Sequence, residues 1–171
     1  STHSFVGGGY QNDIGSAGLA QACQHGFIGG GSTNKILGAS LRCVISGGYI
    51  NNINGGSTQS MIGGGYSNNL AGGSLYCLIS GGYNNDIGEA STYSSVVGGS
   101  NNDIVDGSIA SFIGGGQDND IGEAGIGSSP THSFIGGGST NKITGGSTYS
   151  SVVGGAINTV TEASTHSFVG G

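Results

Sequence analysis

The chain has 171 residues, of which 40 are glycine and one is proline, and only seven per cent are charged. A net charge of −6, with three basic residues (Lys35, Arg42 and Lys142), leaves no electrostatic footprint for nucleic acid or an anionic membrane surface. No apolar run approaches a membrane span, and glycine does not recur at every third position as collagen requires.

The apolar residues are strictly periodic, which excludes a disordered coil. One aliphatic anchor precedes each glycine-rich cluster: Val6, Ile28, Ile45, Ile62, Ile79, Val96, Ile113, Ile135, Val152 and Val169. Seven of the nine gaps are seventeen residues and two are twenty-two. Six residues after an anchor stands an asparagine: Asn12, Asn34, Asn51, Asn68, Asn85, Asn102, Asn119, Asn141 and Asn158. Two further on stands a second aliphatic residue, from Ile14 to Val160. A fixed period this short predicts an all-β, parallel β-solenoid, because one repeat cannot bury its apolar face until a neighbour stacks on it. The reading is a single repeat domain over 1–171.

In chain order, the first long gap holds five extra residues around 18–22, predicted to bulge from the shaft as a loop. The coil at 57–73 illustrates the regular unit. A first strand over 57–62 points serine and the anchor inward, Gly63 to Gly65 turn the chain, and Asn68 and Leu70 form a second short strand. Gly72-Gly73 then turns it back. An inward asparagine at the same place on each coil is expected to form a ladder along the axis, satisfying turn carbonyls and the amide below it. The second long gap lies around 125–129. The run Phe27 to Ile36 recurs as Phe134 to Ile143, a second-order repeat of 107 residues. The chain begins and ends on the same eight letters, so it reads as a fragment of a longer fibre.

The residues flanking each anchor trade size. Phe5, Phe27, Met61, Phe112, Phe134 and Phe168 are each followed past the anchor by glycine, and Val44 and Leu78 by serine. Where the leading residue shrinks to Ser95 or Ser151, the trailing one grows to Val97 or Val153. Constant summed bulk on one strand face suggests close packing. The expected partner is a second copy of the chain, with Phe5, Phe27, Val44, Met61, Leu78, Val97, Phe112, Phe134, Val153 and Phe168 as the oligomer interface. The alternative is a wide coil enclosing both faces.

Cys43 and Cys77 replace serine at a small inward site two coils apart, too far for a disulfide, and Cys23 falls in the first insertion. Asp86, Asp103 and Asp120 form one acidic column, with Glu89, Asp106 and Glu123 three residues after each. Stacked carboxylates repel, so either a divalent cation lies between coils or the acidic edge is simply solvated and discourages aggregation. His3, His25, His132 and His166 fall three before an anchor, facing outward, without metal-ligand spacing. No nucleophile–base pattern and no phosphate loop is present, so no enzymatic activity and no cofactor are expected. Tyr49, Tyr66 and Tyr83 share an outward column that could bind a glycan by ring stacking or merely stack on itself. The two long loops compete as recognition sites.

Units such as Ser-Met-Ile-Gly-Gly-Gly-Tyr-Ser-Asn-Asn-Leu-Ala-Gly-Gly-Ser (60–74) and Ser-Val-Val-Gly-Gly-Ser-Asn-Asn-Asp-Ile-Val-Asp-Gly-Ser (95–108) resemble the head repeats of YadA-like trimeric autotransporter adhesins and related repeats of phage and viral fibres. The period here is longer than that family's usual coil. The resemblance implies a left-handed roll, assembly as a trimer or filament, and an extracellular, cell-surface or virion location. It also implies an adhesive or structural role toward a host glycan or protein receptor; no direct membrane insertion is expected, because no apolar run is long enough. A second resemblance, in Thr33 to Gly38 and Ser67 to Gly72, is to plant ice-binding β-rolls. A monomeric ice-binding or cation-binding module is therefore the rival function, although the row after each asparagine (Asp13, Lys35, Asn52 and onward) is irregular and charged.

Overall fold

A computed structural model describes residues 2–15, 23–122 and 129–171. It is a parallel β-solenoid, without helix among the described residues. Ten strands, from Phe5–Val6 to Phe168–Val169, form one sheet in chain order, and nine, from Asp13–Ile14 to Thr159–Val160, form a second. Anchor pairs with anchor throughout (Ile62 with Ile79, Val96 with Ile113), and the second aliphatics pair likewise (Ile53 with Leu70, Ile104 with Ile121). The nine spacings of the anchor sheet, at about 4.8 Å each, give a shaft roughly 43 Å long. Between the sheets lies a thin core of stacked Ile, Leu and Val, fully buried except toward the ends.

Each coil consists of two similar halves, which the period alone does not reveal. Thr58-Gln59-Ser60-Met61-Ile62 and Tyr66-Ser67-Asn68-Asn69-Leu70 follow the same plan. First comes an isolated parallel bridge (Thr58, Tyr66), then a left-handed residue (Gln59 at φ 52°, Ser67 at φ 56°). A buried small polar residue, an outward residue and a buried aliphatic follow. Three residues link the first half to the second, and four link the second to the next coil. The expected continuous strand over 57–62 is therefore interrupted at Gln59, and the observed strand is Met61–Ile62. The left-handed residue makes a sharp corner, so that both serine and anchor can face the core from such a short stretch.

Both long gaps enter at the four-residue turn. The ladder register holds across them, with Thr2 bridging Gln24 and Ile109 bridging Thr131. The insertions at 18–22 and 125–129 lie outside the described residues except for Ser129, whose hydroxyl donates to the Asp106 carbonyl at 2.6 Å.

Cys23 requires a correction. It is not part of a surface insertion but is fully buried, five residues before its anchor, in the column that Ser40, Ser57, Ser74, Ser91 and Ser108 occupy elsewhere. Its sulfur crowds the neighbouring inward site, where a Cβ on Gly26 would lie 2.9 Å from Sγ. Cys43 and Cys77 are buried free thiols, with sulfurs facing the Ser57 and Ser91 carbonyls at 3.2 and 3.3 Å.

Candidate functional site

Three surfaces follow from this frame, all resting on the asparagine column. Asn34 through Asn141 are fully buried, while Asn12 and Asn158 near the ends are half-buried. Asn68 shows the pattern. Its Nδ2 donates to the carbonyl of Gly64 in its own coil (2.9 Å) and of Gly82 in the next (3.1 Å). The Asn68 backbone N–H donates to Oδ1 of Asn51 at 3.0 Å. The glycine three residues after every anchor, from Gly9 to Gly155, is the steric partner of this ladder. At Gly65 the φ is 88°, and an added Cβ would run into the Gly82 carbonyl of the next coil and lie 2.7 Å from Asn68 Nδ2. Nine such glycines are visible in the sequence, but only the packing shows that the next coil's backbone and the amide together leave no room for a side chain there.

The anchor sheet turns an uncharged face outward. Phe5, Phe27, Met61, Val97, Phe134, Val153 and Phe168 are exposed, while Val44, Leu78 and Phe112 are half-buried. The stripe is thus on the outside, and the wide coil enclosing both faces is not what forms. The rings of Phe27, Phe112 and Phe134 lean over the glycine beyond their own anchor, with an edge carbon 3.4, 3.5 and 3.2 Å from where a Cβ on Gly29, Gly114 and Gly136 would stand. The first atom such a Cβ would meet is a carbonyl of the next coil, that of Ser46, Gly136 or Val153. The two flanking positions thus touch within one coil as well as facing outward. Phe112 and Phe134 stack at 5.4 Å, as do Phe5 and Phe27 at 5.6 Å.

The second sheet turns a polar face outward. Asp86, Asp103 and Asp120 lie side by side in register. Asn69 Nδ2 donates to Asp86 Oδ1 at 2.8 Å, and Lys142 Nζ pairs with Asp120 Oδ2 at 2.6 Å. Asp103 stands between the two carboxylates. Burial, and then repulsion from Asp120 and Asp86, push its carboxyl up to about 6. Burial also raises Asp86, opposed by the Asn69 amide. A cleft of about 340 Å³ is lined by Asp103, Asp120, Lys142, Thr144 and Thr159 among others. Among the described residues no three His, Cys, Asp or Glu side chains converge closely enough to hold a metal ion. In the second acidic column Asp106 Oδ1 accepts the Glu89 N–H at 2.8 Å, and Glu123 lies outside the described residues.

The edge columns are aromatic stacks. Tyr49, Tyr66 and Tyr83 lie 5.3 and 5.2 Å apart by ring centroids. Tyr66 and Tyr83 stack, whereas Tyr49 is tilted by 41° to Tyr66, and all three rings remain partly exposed. On the opposite corner Tyr76 stacks on Tyr93, and Tyr149 lies between His132 and His166. Unlike Tyr49, Tyr66 and Tyr83, the residues Tyr76, Tyr93, His132, Tyr149 and His166 all have positive φ, an unusual site for tyrosine. No sequence signal beyond the column itself marks them as left-handed.

The sequence matches no family model, and no curated protein matches it significantly.

Proposed function

We propose that this chain is a rigid structural segment of an adhesive fibre, displayed outside the cell or on a virion and self-associated through the anchor-sheet face. The observation that carries this reading is the continuity of the ladders. Four parallel columns of backbone pairing run through every described coil, with one face uncharged and the other polar. Each coil contacts only its neighbours, so length is set by coil number and stiffness is inherited from the ladder.

The likeness of 60–74 and 95–108 to adhesin head repeats supports the same reading. An apolar stripe this long is larger than soluble monomers usually expose, which supports a homotrimer or filament.

The test is modular. Duplicating residues 57–73 in tandem should leave a folded protein whose scattering-derived length grows by about 4.8 Å. Unfolding, or an unchanged length, would overturn the shaft reading. Equilibrium sedimentation separates the two parts of the proposal, because a stable monomer of normal length would remove self-association and leave the shaft.

A further inference from the structure

Asn54 is the one asparagine in the chain followed by glycine. It opens the four-residue turn Asn54-Gly55-Gly56-Ser57, whose central residues have φ 36° and 88° and whose Ser57 N–H returns to the Asn54 carbonyl at 3.3 Å. Two positive φ angles mark a type I′ geometry that suits glycine. Asn54 is half-buried and Gly55 exposed.

The backbone nitrogen that follows an asparagine decides whether its side chain can cyclise. After the ladder asparagines this nitrogen is engaged. Lys35, Asn52, Asn69, Asp86 and Asp103 donate to the carbonyls of Asn51, Asn68, Asn85, Asn102 and Asn119, at 2.9–3.1 Å. At the Asp106-Gly107 step, which falls one position later in its own turn Val105–Ser108, the nitrogen is also engaged: the Gly107 N–H donates to the Glu89 carbonyl at 2.8 Å. The Gly55 N–H meets no acceptor among the described residues. The coil below approaches the Gly55 backbone without bonding its N–H: a Cβ on Gly38 would lie 2.8 Å from Gly55 Cα and 3.1 Å from its nitrogen.

We propose that Asn54 is a self-modification site, converting through a cyclic imide while the ladder asparagines stay intact. The Gly55 nitrogen attacks Asn54 Cγ. The new C–N bond forms as the Cγ–Nδ2 bond breaks, and Nδ2 leaves as ammonia with the proton from Gly55. Water then opens the imide at either carbonyl, leaving an aspartyl or an isoaspartyl residue at position 54.

The change has a defined structural consequence. Asn54 Nδ2 donates to Asn69 Oδ1 at 3.2 Å, and Asn69 Nδ2 donates in turn to Asp86 Oδ1. A carboxylate at position 54 faces Asn69 with acceptors alone, so the Asn69 amide must either lose that partner or turn away from Asp86.

Incubation of the full chain at physiological temperature and slightly alkaline pH, followed by peptide mapping with mass detection, tests this. The expected result is a one-dalton gain and an isoaspartyl signal on the peptide holding Asn54, none at Asn51 or Asn68 by fragment ions, and no gain at position 54 in Asn54→Gln. If Asn54 stays unchanged while the same chain converts there in denaturant, the fold protects the site and the proposal fails. Equal conversion at Asn51 and Asn68 overturns it as well.

Discussion

Asn68 Oδ1 accepts both the backbone N–H of Asn85, at 3.0 Å, and its side-chain amide, at 3.1 Å. One side chain therefore couples two coils while its own amide holds the Gly64 and Gly82 turn carbonyls. Replacing Asn68 by leucine orphans the Gly64 carbonyl in its own coil and the Asn85 N–H in the next, at a cost on the order of 1–3 kcal/mol for each unsatisfied group. Calorimetric melting should show a clear fall in Tm. An unchanged melting temperature would mean that the ladder contributes little.

Gly65 and Gly56 provide a matched comparison, since both have φ 88°. An alanine Cβ at Gly65 would run into the Gly82 carbonyl and meet Asn68 Nδ2 at 2.7 Å and the Gly82 nitrogen at 2.8 Å, whereas at Gly56 it would meet nothing within 4 Å. Gly56→Ala should cost only the left-handed penalty, about 1–2 kcal/mol. Gly65→Ala should cost distinctly more in urea titration, and equal costs would show that the close approach of the next coil and of the asparagine at this site is unimportant.

Phe112 lies on the outward stripe, stacked on Phe134. Phe112→Asp should reduce self-association in sedimentation while leaving the far-ultraviolet dichroism of the β-structure. Loss of that β signal with oligomeric state unaltered would assign the stripe a purely intramolecular role.

Asp103 sets the sign of a pH effect. Its carboxyl rises from 3.8 in the free group to about 6 in the fold, through burial and then through Asp120 and Asp86. The folded state therefore holds this proton more tightly than the unfolded state. The associated stability is fully present below about pH 4 and is lost as pH rises through 6. Asp103→Asn should raise Tm at neutral pH and flatten its rise on acidification across this window. An unchanged Tm profile would place the carboxyl in water.

The column of Tyr49, Tyr66 and Tyr83 offers a glycan partly exposed aromatic rings. If the column binds a saccharide, a triple alanine variant should lose signal on a glycan array while the shaft stays folded. Equal binding by the variant would make the tyrosines architectural.

The coil frame was legible because every turn needs an aliphatic at the same two places, and stacking in register writes the geometry directly as a period. The side chain at Asn68 was legible for the same reason, since a buried amide repeated coil after coil must find partners along the axis. The corners were not. Gln59, Ser67 and Tyr76 all adopt left-handed φ without glycine to announce it, because the ladder enforces the angle from outside the residue. Cys23 was misplaced because spacing alone could not say where the five extra residues leave the shaft.

The size trade between Phe112 and Gly114 marks the boundary between the two levels. Periodicity by itself determined the solenoid, its inward columns and the coupling of the two flanking positions, since each is a one-dimensional relation repeated along the chain. Only the tertiary structure showed which way the rings lie. That depends on side-chain direction, and the Phe112 ring leans over its own glycine from the outward face of the coil. The same holds for Asp103, whose raised carboxyl depends on burial and on the carboxylates stacked above and below it. Those distances exist only once the coils are in register.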